Sequence, residues 1–196
     1  ILEKYKSSSI YANALIGYGW SALALEEYDS SEIAFEKVVL EFPQSSFAFL
    51  AYLRMGDAYF HLKKYGNAIA AYRKAIEKYP NEFQRDYAYY QLAQTLYRTG
   101  KSSDALEQSR YLMRNFPSSE LRDETQFSIA KMYFQEGNYK RAIEEYEIFI
   151  ARYWKSTLVP LACVEIGDAY YNMQKYDKAV QMYQKVLQNY PMNNAV

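Results

Sequence analysis

An all-α solenoid of five tandem helix hairpins, cut from a longer array, is the fold this sequence predicts, and three observations predict it. Aromatic–proline pairs recur at Phe42-Pro43, Tyr79-Pro80, Phe116-Pro117 and Tyr190-Pro191, with the prolines 37, 37 and 74 residues apart. A small residue keeps the same step at Gly19, Gly56, Ala93, Ala130 and Gly167, and so does a second column at Ser31, Ala68, Ala105, Ala142 and Ala179. Between these marks apolar residues return at three and four, the spacing of one helix face. A period of this length means stacked repeats, each burying its apolar face on the next.

The elements follow in order. Residues 1–6 read as the tail of a preceding unit, because LEKYK around Tyr5 resembles IEKYP at Ile76 to Pro80. Five units then run over 7–43, 44–80, 81–117, 118–154 and 155–191, with 192–196 as a second tail. In the second unit Met55, Tyr59 and Leu62 mark a first helix, and Ile69, Tyr72, Ala75, Ile76 and Tyr79 mark a second. The turns between helices are expected at Gly66-Asn67, at Gly100 and at Gly137-Asn138, since a helix stop favours Gly or Asn. A third column at Tyr28, Tyr65, Tyr139 and Tyr176 keeps the same step, broken only by Ser102. Pro then closes each second helix, because it cannot extend the hydrogen-bond ladder. Ser45, Ser119 and Ser156 stand where an N-cap for the next helix is expected.

The fourth junction departs from this pattern. Trp154 occupies the proline column, and Pro160 lies about four residues into the expected first helix of the fifth unit. The pair predicts a junction with its own geometry, the indole packing across the fourth and fifth hairpins and replacing a local stop with a tertiary one; the alternative is that the departure from the pattern marks a hinge or contact point.

Composition excludes several functions. Lys plus Arg and Asp plus Glu are 23 each, giving a net charge of zero. Duplex nucleic acid requires clustered cations to neutralise several phosphates, so it is not an expected partner. Cys163 is the only cysteine and His61 the only histidine, which rules out an internal disulfide, a multi-Cys or multi-His metal site and a self-contained His triad. No stretch of 18 apolar residues spans a membrane, and no glycine-rich phosphate loop follows a strand. Glu77, Glu107 and the pair Glu144 and Glu147 read as solvated helix faces supported by i,i+4 pairing. Cys163, in a column with Leu15, Tyr52, Tyr89 and Gln126, reads as packing. No catalytic residue, metal ligand or cofactor is therefore expected. The 23 tyrosines, with rings that pack and hydroxyls that stay wet, suit half-buried helix faces and contact surfaces. The chain starts at Ile1 and reads as an excised piece, so a missing secretion signal says nothing about its parent.

GDAYFHLKKYGNAIAAYRKAIEKYP and GDAYYNMQKYDKAVQMYQKVLQNYP resemble tetratricopeptide repeats, with small, aromatic, Ala, aromatic and Pro residues in that family's order. The unit exceeds the usual 34 residues by three. With its aromatic-Pro-x-Ser junction, it is similar to bacterial cell-envelope members, namely the outer-membrane assembly lipoprotein and the periplasmic Tol–Pal-associated type. The resemblance implies a right-handed superhelix whose first helices line a concave groove, and it favours the periplasm or cell envelope.

On that resemblance three rows face the groove: Ile16, Leu53, Tyr90, Phe127 and Val164; then Trp20, Asp57, Gln94, Lys131 and Asp168; then Leu23, Phe60, Tyr97, Phe134 and Tyr171. His61, Arg98, Gln135 and Asn172 flank the last row. The family members that clamp acidic C-terminal tails use Lys, Asn and Arg at positions that here hold Ile16, Trp20, Leu53 and Asp57, so that clamp is not expected. The implied role is a scaffold without catalysis, holding a protein or peptide partner through Trp20, Leu53, Asp57, Phe60, His61, Tyr90, Gln94, Tyr97, Arg98, Phe127, Lys131 and Phe134. Against this, any one aromatic of the last row can instead pack on the second helix of its own unit. A structural spacer that self-associates through uncapped ends is the alternative to a groove binder.

Overall fold

A computed structural model describes residues 9–190. The expected tails at 1–6 and 192–196, and Pro191, lie outside the described residues. Within them there are ten α-helices and no strand: α1 (Ser9–Ala24), α2 (Tyr28–Glu41), α3 (Ala48–His61), α4 (Tyr65–Lys78), α5 (Arg85–Arg98), α6 (Ser102–Asn115), α7 (Arg122–Gln135), α8 (Tyr139–Arg152), α9 (Val159–Asn172) and α10 (Tyr176–Asn189). The contacts divide the chain into two compact units, Ile1–Gln108 and Ser109–Val196, with the boundary inside α6. In the first unit α1 pairs with α2 and α3 with α4, while α3 also packs on α2 and α5 on α4. In the second, α7 pairs with α8, α9 with α10, and α9 packs on α8. This is tandem hairpin packing.

The small columns are what let the paired helices close. A Cβ added at Gly19 would lie 2.8 Å from the Phe35 ring, and one at Gly56 or Gly167 would lie 2.5 Å from Tyr72 or Tyr183. Phe35 and Tyr72 are fully buried, as is Tyr146 in the second unit. Burying a large side chain of this kind contributes about 1.5–3 kcal/mol, so the glycines stabilise indirectly by making room. The alanines of the second column, Ala68, Ala105, Ala142 and Ala179, are buried to within 2 %.

Each first helix ends the same way. The backbone is left-handed at Glu26, Lys63, Gly100, Gly137 and Gln174, one residue per cycle. Lys64 N donates to Tyr59 O and Lys63 N to Phe60 O, and the same 6→1 and 5→2 pair recurs in every cycle, which is the Schellman motif. The expected turn at Gly66-Asn67 is therefore misplaced: both residues lie in the first turn of α4, and the left-handed position is Lys63. Glycine marked this position correctly only at Gly100 and Gly137. A helix stop needs the conformation, and three of the five cycles adopt it without glycine.

The serines at the junctions are not N-caps. The capping positions are Phe47, Leu121 and Leu158, none of which makes a side-chain cap bond. Ser119 Oγ and Ser156 Oγ instead accept from Leu121 N and Leu158 N two residues on, tightening the loop before the helix begins.

The fourth junction also differs from expectation. Tyr153 N donates to Phe149 O, Ser156 N to Tyr153 O and Val159 N to Ser156 O, the same pattern as Phe42 to Val38, Ser45 to Phe42 and Ala48 to Ser45 in the first. Tyr153 has φ −120° and ψ 43°, beside −129° and 50° at Phe42. Pro160 sits in the first turn of α9, where its missing N–H has no intrahelical partner to lose. Trp154 does not pack between hairpins, because 68 % of it is exposed. The backbone makes this junction without help from the indole.

Candidate functional site

In the first unit α1, α3 and α5 bring five of the expected residues around one place. Trp20 from α1 and Asp57, Phe60 and His61 from α3 line a cleft of about 360 Å³ together with Leu23, Tyr28, Arg54, Tyr72, Tyr87 and Gln91. Arg98, from α5, holds its guanidinium 5.4 Å from the Phe60 ring centroid. Asp57 is the centre of the cleft's polar network. Its Oδ2 accepts from Arg54 Nη1 at 2.7 Å, and its Oδ1 accepts from the Tyr72 and Tyr87 hydroxyls at 2.8 and 3.0 Å. Gln91 Nε2 donates to the Tyr87 hydroxyl at 2.9 Å. The Arg54 guanidinium lies 4.6 Å from the Trp20 ring and 5.0 Å from the Tyr87 ring, one aromatic on α1 and the other on α5.

The electrostatics follow from burial. Arg54 and Asp57 side chains are only 17 % and 12 % exposed, so the ion pair is largely desolvated and gives a fixed geometry more than net stability. Burial, reinforced by the Asp57 charge, pushes the Tyr87 phenol up to about 12. The same two causes push Tyr72 far above its ordinary value. Both phenols are thus hydrogen-bond donors to the carboxylate at any physiological pH.

His61 is exposed and stacks on Tyr28 with ring centroids 4.5 Å apart and 1° between planes. Phe60 is half-buried, meeting Tyr65 of its own hairpin edge to face at 5.6 Å. Trp20 remains 39 % exposed. The cleft therefore presents aromatic edges and faces above a carboxylate that already accepts three hydrogen bonds. That chemistry suits apolar anchoring with polar register.

The other expected residues are placed differently. Leu53 is fully buried, and Phe127 is 7 % exposed in the core of the second unit, against Tyr146 and Phe149. Leu53 and Phe127 are core side chains, whereas Tyr90 and Val164 of the same row stay half-buried, so the row does not share one exposure. Tyr90, Gln94 and Tyr97 are half-buried along α5, outside the cleft lining. In the second unit Lys131 is exposed, and Phe134 packs edge to face on Tyr139 at 5.4 Å. Tyr171 meets Tyr176 in the same way at 5.4 Å, so Phe60, Phe134 and Tyr171 are each tied to the second helix of their own hairpin. The second unit repeats one part of the Asp57 arrangement, with the Tyr183 hydroxyl donating to Asp168 Oδ1 at 2.6 Å.

Cys163 is wholly buried, and burial pushes its thiol up, away from the reactive thiolate. Among the described residues no cluster of His, Cys, Asp and Glu could hold a metal ion, and no helix is long and apolar enough to cross a membrane.

The comparisons with known proteins agree with the helix packing. Residues 49–82 and 160–193 match one family profile described as tetratricopeptide repeat, and residues 90–157 match a second of the same description. No curated protein matches the chain. Among solved structures, MamA is 20% identical over 90% of each chain, with a TM-score of 0.75. A tetratricopeptide repeat protein from Parabacteroides merdae is 15% identical over 93% of this chain and 68% of its own, with a TM-score of 0.77. YrrB, described as a tetratricopeptide repeat protein with an unusual peptide-binding site, is 18% identical over 98% of this chain and 91% of its own, with a TM-score of 0.72. Likenesses at this identity speak to the fold. Together with the hairpin packing and the two profiles, they make this chain a member of the tetratricopeptide repeat family.

Proposed function

We propose that the chain is a non-catalytic scaffold that binds a peptide or protein partner, with the cleft around Trp20, Phe60 and His61 as its anchor point in the first unit. The observation that carries this reading is the pairing of exposed aromatic surface with a locked polar floor at Asp57. Rigid aromatics give contact area at little entropic cost, and a preorganised floor keeps the register of what binds. Lys131 and Phe134 are the candidate contacts of the second unit, and Tyr90, Gln94, Tyr97 and Arg98 extend the surface along α5. Bacterial envelope assembly, in the periplasm or at the outer membrane, is the setting we favour, on the 37-residue unit and its aromatic-Pro-x-Ser junction. Repeat boundaries after residues 43, 80, 117 and 154 belong to the same reading.

Selection of a random peptide display library on the immobilised chain tests it. Enriched peptides should carry apolar anchors and bind Trp20→Ala or Phe60→Ala at least roughly tenfold more weakly. Lys74→Ala, on α4 outside the cleft, should leave binding unchanged. Enrichment of nothing, or of peptides indifferent to both cleft variants, would overturn the proposal.

A second reading, self-association, has one observation of its own. Val180 and Leu187 on α10 are 51 % and 73 % exposed, whereas Ile69 and Ile143, which occupy the Val180 column, are 7 % exposed beneath a following hairpin. Sedimentation at increasing concentration should show association that Val180→Glu with Leu187→Glu abolishes. A monomer at every concentration would rule this reading out.

A further inference from the structure

The fourth junction holds a residue that the fold does not use. Trp154 stands where three other junctions have Pro43, Pro80 and Pro117. The backbone on either side follows the same hydrogen-bond pattern, and Trp154 N makes no backbone hydrogen bond that proline would forfeit. Tyr153, with φ −120° and ψ 43°, already has the conformation of Phe42 and Tyr79, both of which precede proline. Proline would suit this site and would limit the unfolded chain. The indole brings no packing in exchange, being 68 % exposed.

The ring instead rims a cleft of about 630 Å³ between consecutive junction loops of the second unit, 117–123 and 152–156. Several of its polar groups are committed. Arg122 Nη1 donates to the carbonyls of Met113 and Phe116, and Asp123 Oδ2 accepts from Ser156 Oγ at 2.9 Å. Arg152 and Lys155, on either side of Trp154 in the sequence and both lining the cleft, are exposed, and neither forms an ion pair among the described residues. Lys155 Nζ rests 4.9 Å from the ring centroid, which concentrates positive charge on the aromatic surface. Glu120, on the opposite wall, is the one acid of the lining not engaged within it. An exposed indole flanked by two uncommitted cations is complementary to an apolar side chain flanked by carboxylates.

We infer that this junction cleft is a second interaction site, separate from the Trp20 cleft, which takes an internal acidic segment of a polypeptide through one apolar side chain set on Trp154. The carboxylates on either side of that side chain pair with Arg152 and Lys155. Recognition needs no chain terminus, since the two cations lie on either side of Trp154 in the sequence.

Fluorescence tests this directly. In a Trp20→Phe background Trp154 is the only tryptophan, so its emission reports the junction alone. The probe is a peptide blocked at both ends, Asp-Glu-Phe-Glu-Asp, with Asn-Gln-Phe-Gln-Asn as its neutral counterpart. The acidic peptide should change the emission saturably, and 0.5 M salt should weaken it at least about tenfold through screening. Arg152→Gln with Lys155→Gln should abolish the response. In the otherwise unchanged chain, Trp154→Pro should abolish binding of a fluorescently labelled acidic peptide while leaving the circular dichroism spectrum unaltered. Equal response to the neutral peptide, binding that survives Trp154→Pro, or a response only to phosphatidylglycerol vesicles would each overturn the inference.

Discussion

Replacing Tyr87 with Phe removes one of the two phenol donors to Asp57 Oδ1 and leaves Gln91 Nε2 without its acceptor. A lost buried hydrogen bond with an orphaned partner costs about 1–3 kcal/mol, so Tyr87→Phe should lower the urea midpoint of the first unit's unfolding by a corresponding amount. Tyr72→Phe should act in the same direction, since its hydroxyl donates to the same oxygen. Asp57 was legible in the sequence because its column also holds Trp20, Gln94, Lys131 and Asp168, a row of polar and aromatic residues at one helical position. Arg54, Tyr87 and Gln91 were not legible. Arg54 and Gln91 share a column with Gly17, Ser128 and Glu165, and Tyr87 shares one with Asn13, Leu50, Glu124 and Leu161. No residue type persists in either column, so periodicity carries no signal there, and the cluster exists only through contacts among α1, α3, α4 and α5.

Helix by helix, the glycines divide into those that make room and those that do not. Gly56→Ala should destabilise, because the new methyl meets the Tyr72 ring while the hydroxyl of that ring is held on Asp57. Overpacking of this kind typically costs about 1–3 kcal/mol, more than the roughly 1 kcal/mol that alanine contributes as a helix former. Gly17→Ala, in α1 with nothing within 4 Å of the added carbon, should stabilise by up to about 1 kcal/mol. Thermal unfolding of the two variants should therefore move in opposite directions. A third change follows from the left-handed backbone at Lys63, φ 59°. Lys63→Gly relieves strain of about 1 kcal/mol and should raise the midpoint modestly; no rise, or a fall, would mean that the lost entropy of glycine outweighs the strain. Helix identities were plain in the 37-residue columns and the three-and-four spacing. Helix ends were not: Gly66 and Ser45 carry the right residue types for a turn and a cap, but the chain stops its helices by dihedral angle and loop bonding, which residue type constrains only weakly.

For the molecule as a whole, the abundance of tyrosine makes stability depend on alkaline pH. Burial and Asp57 push Tyr87 up to about 12, and burial with the Asp168 bond pushes Tyr183 to about 12. Unfolded phenols release their protons near 10, while these two keep theirs, so the unfolded state binds fewer protons above that point. Their contribution is fully present below pH 10 and is lost as pH rises from 10 through 12. Urea midpoints should accordingly be flat with respect to these groups from pH 7 to 9.5 and fall above pH 10. Tyr87→Phe should shallow that fall.

The sequence by itself determined the hairpin period, the order of helices and the small columns, because these repeat and each repeat must satisfy the same local constraints of helix spacing and close approach. Only the tertiary structure decided which side chains meet water. A column groups residues by their place in a hairpin, yet exposure depends on which neighbours cover that place and how large they are. Leu53 is sealed while Trp20 and Trp154 are open for that reason, and the contact surfaces proposed for this protein lie where the repeat pattern stops predicting what covers what.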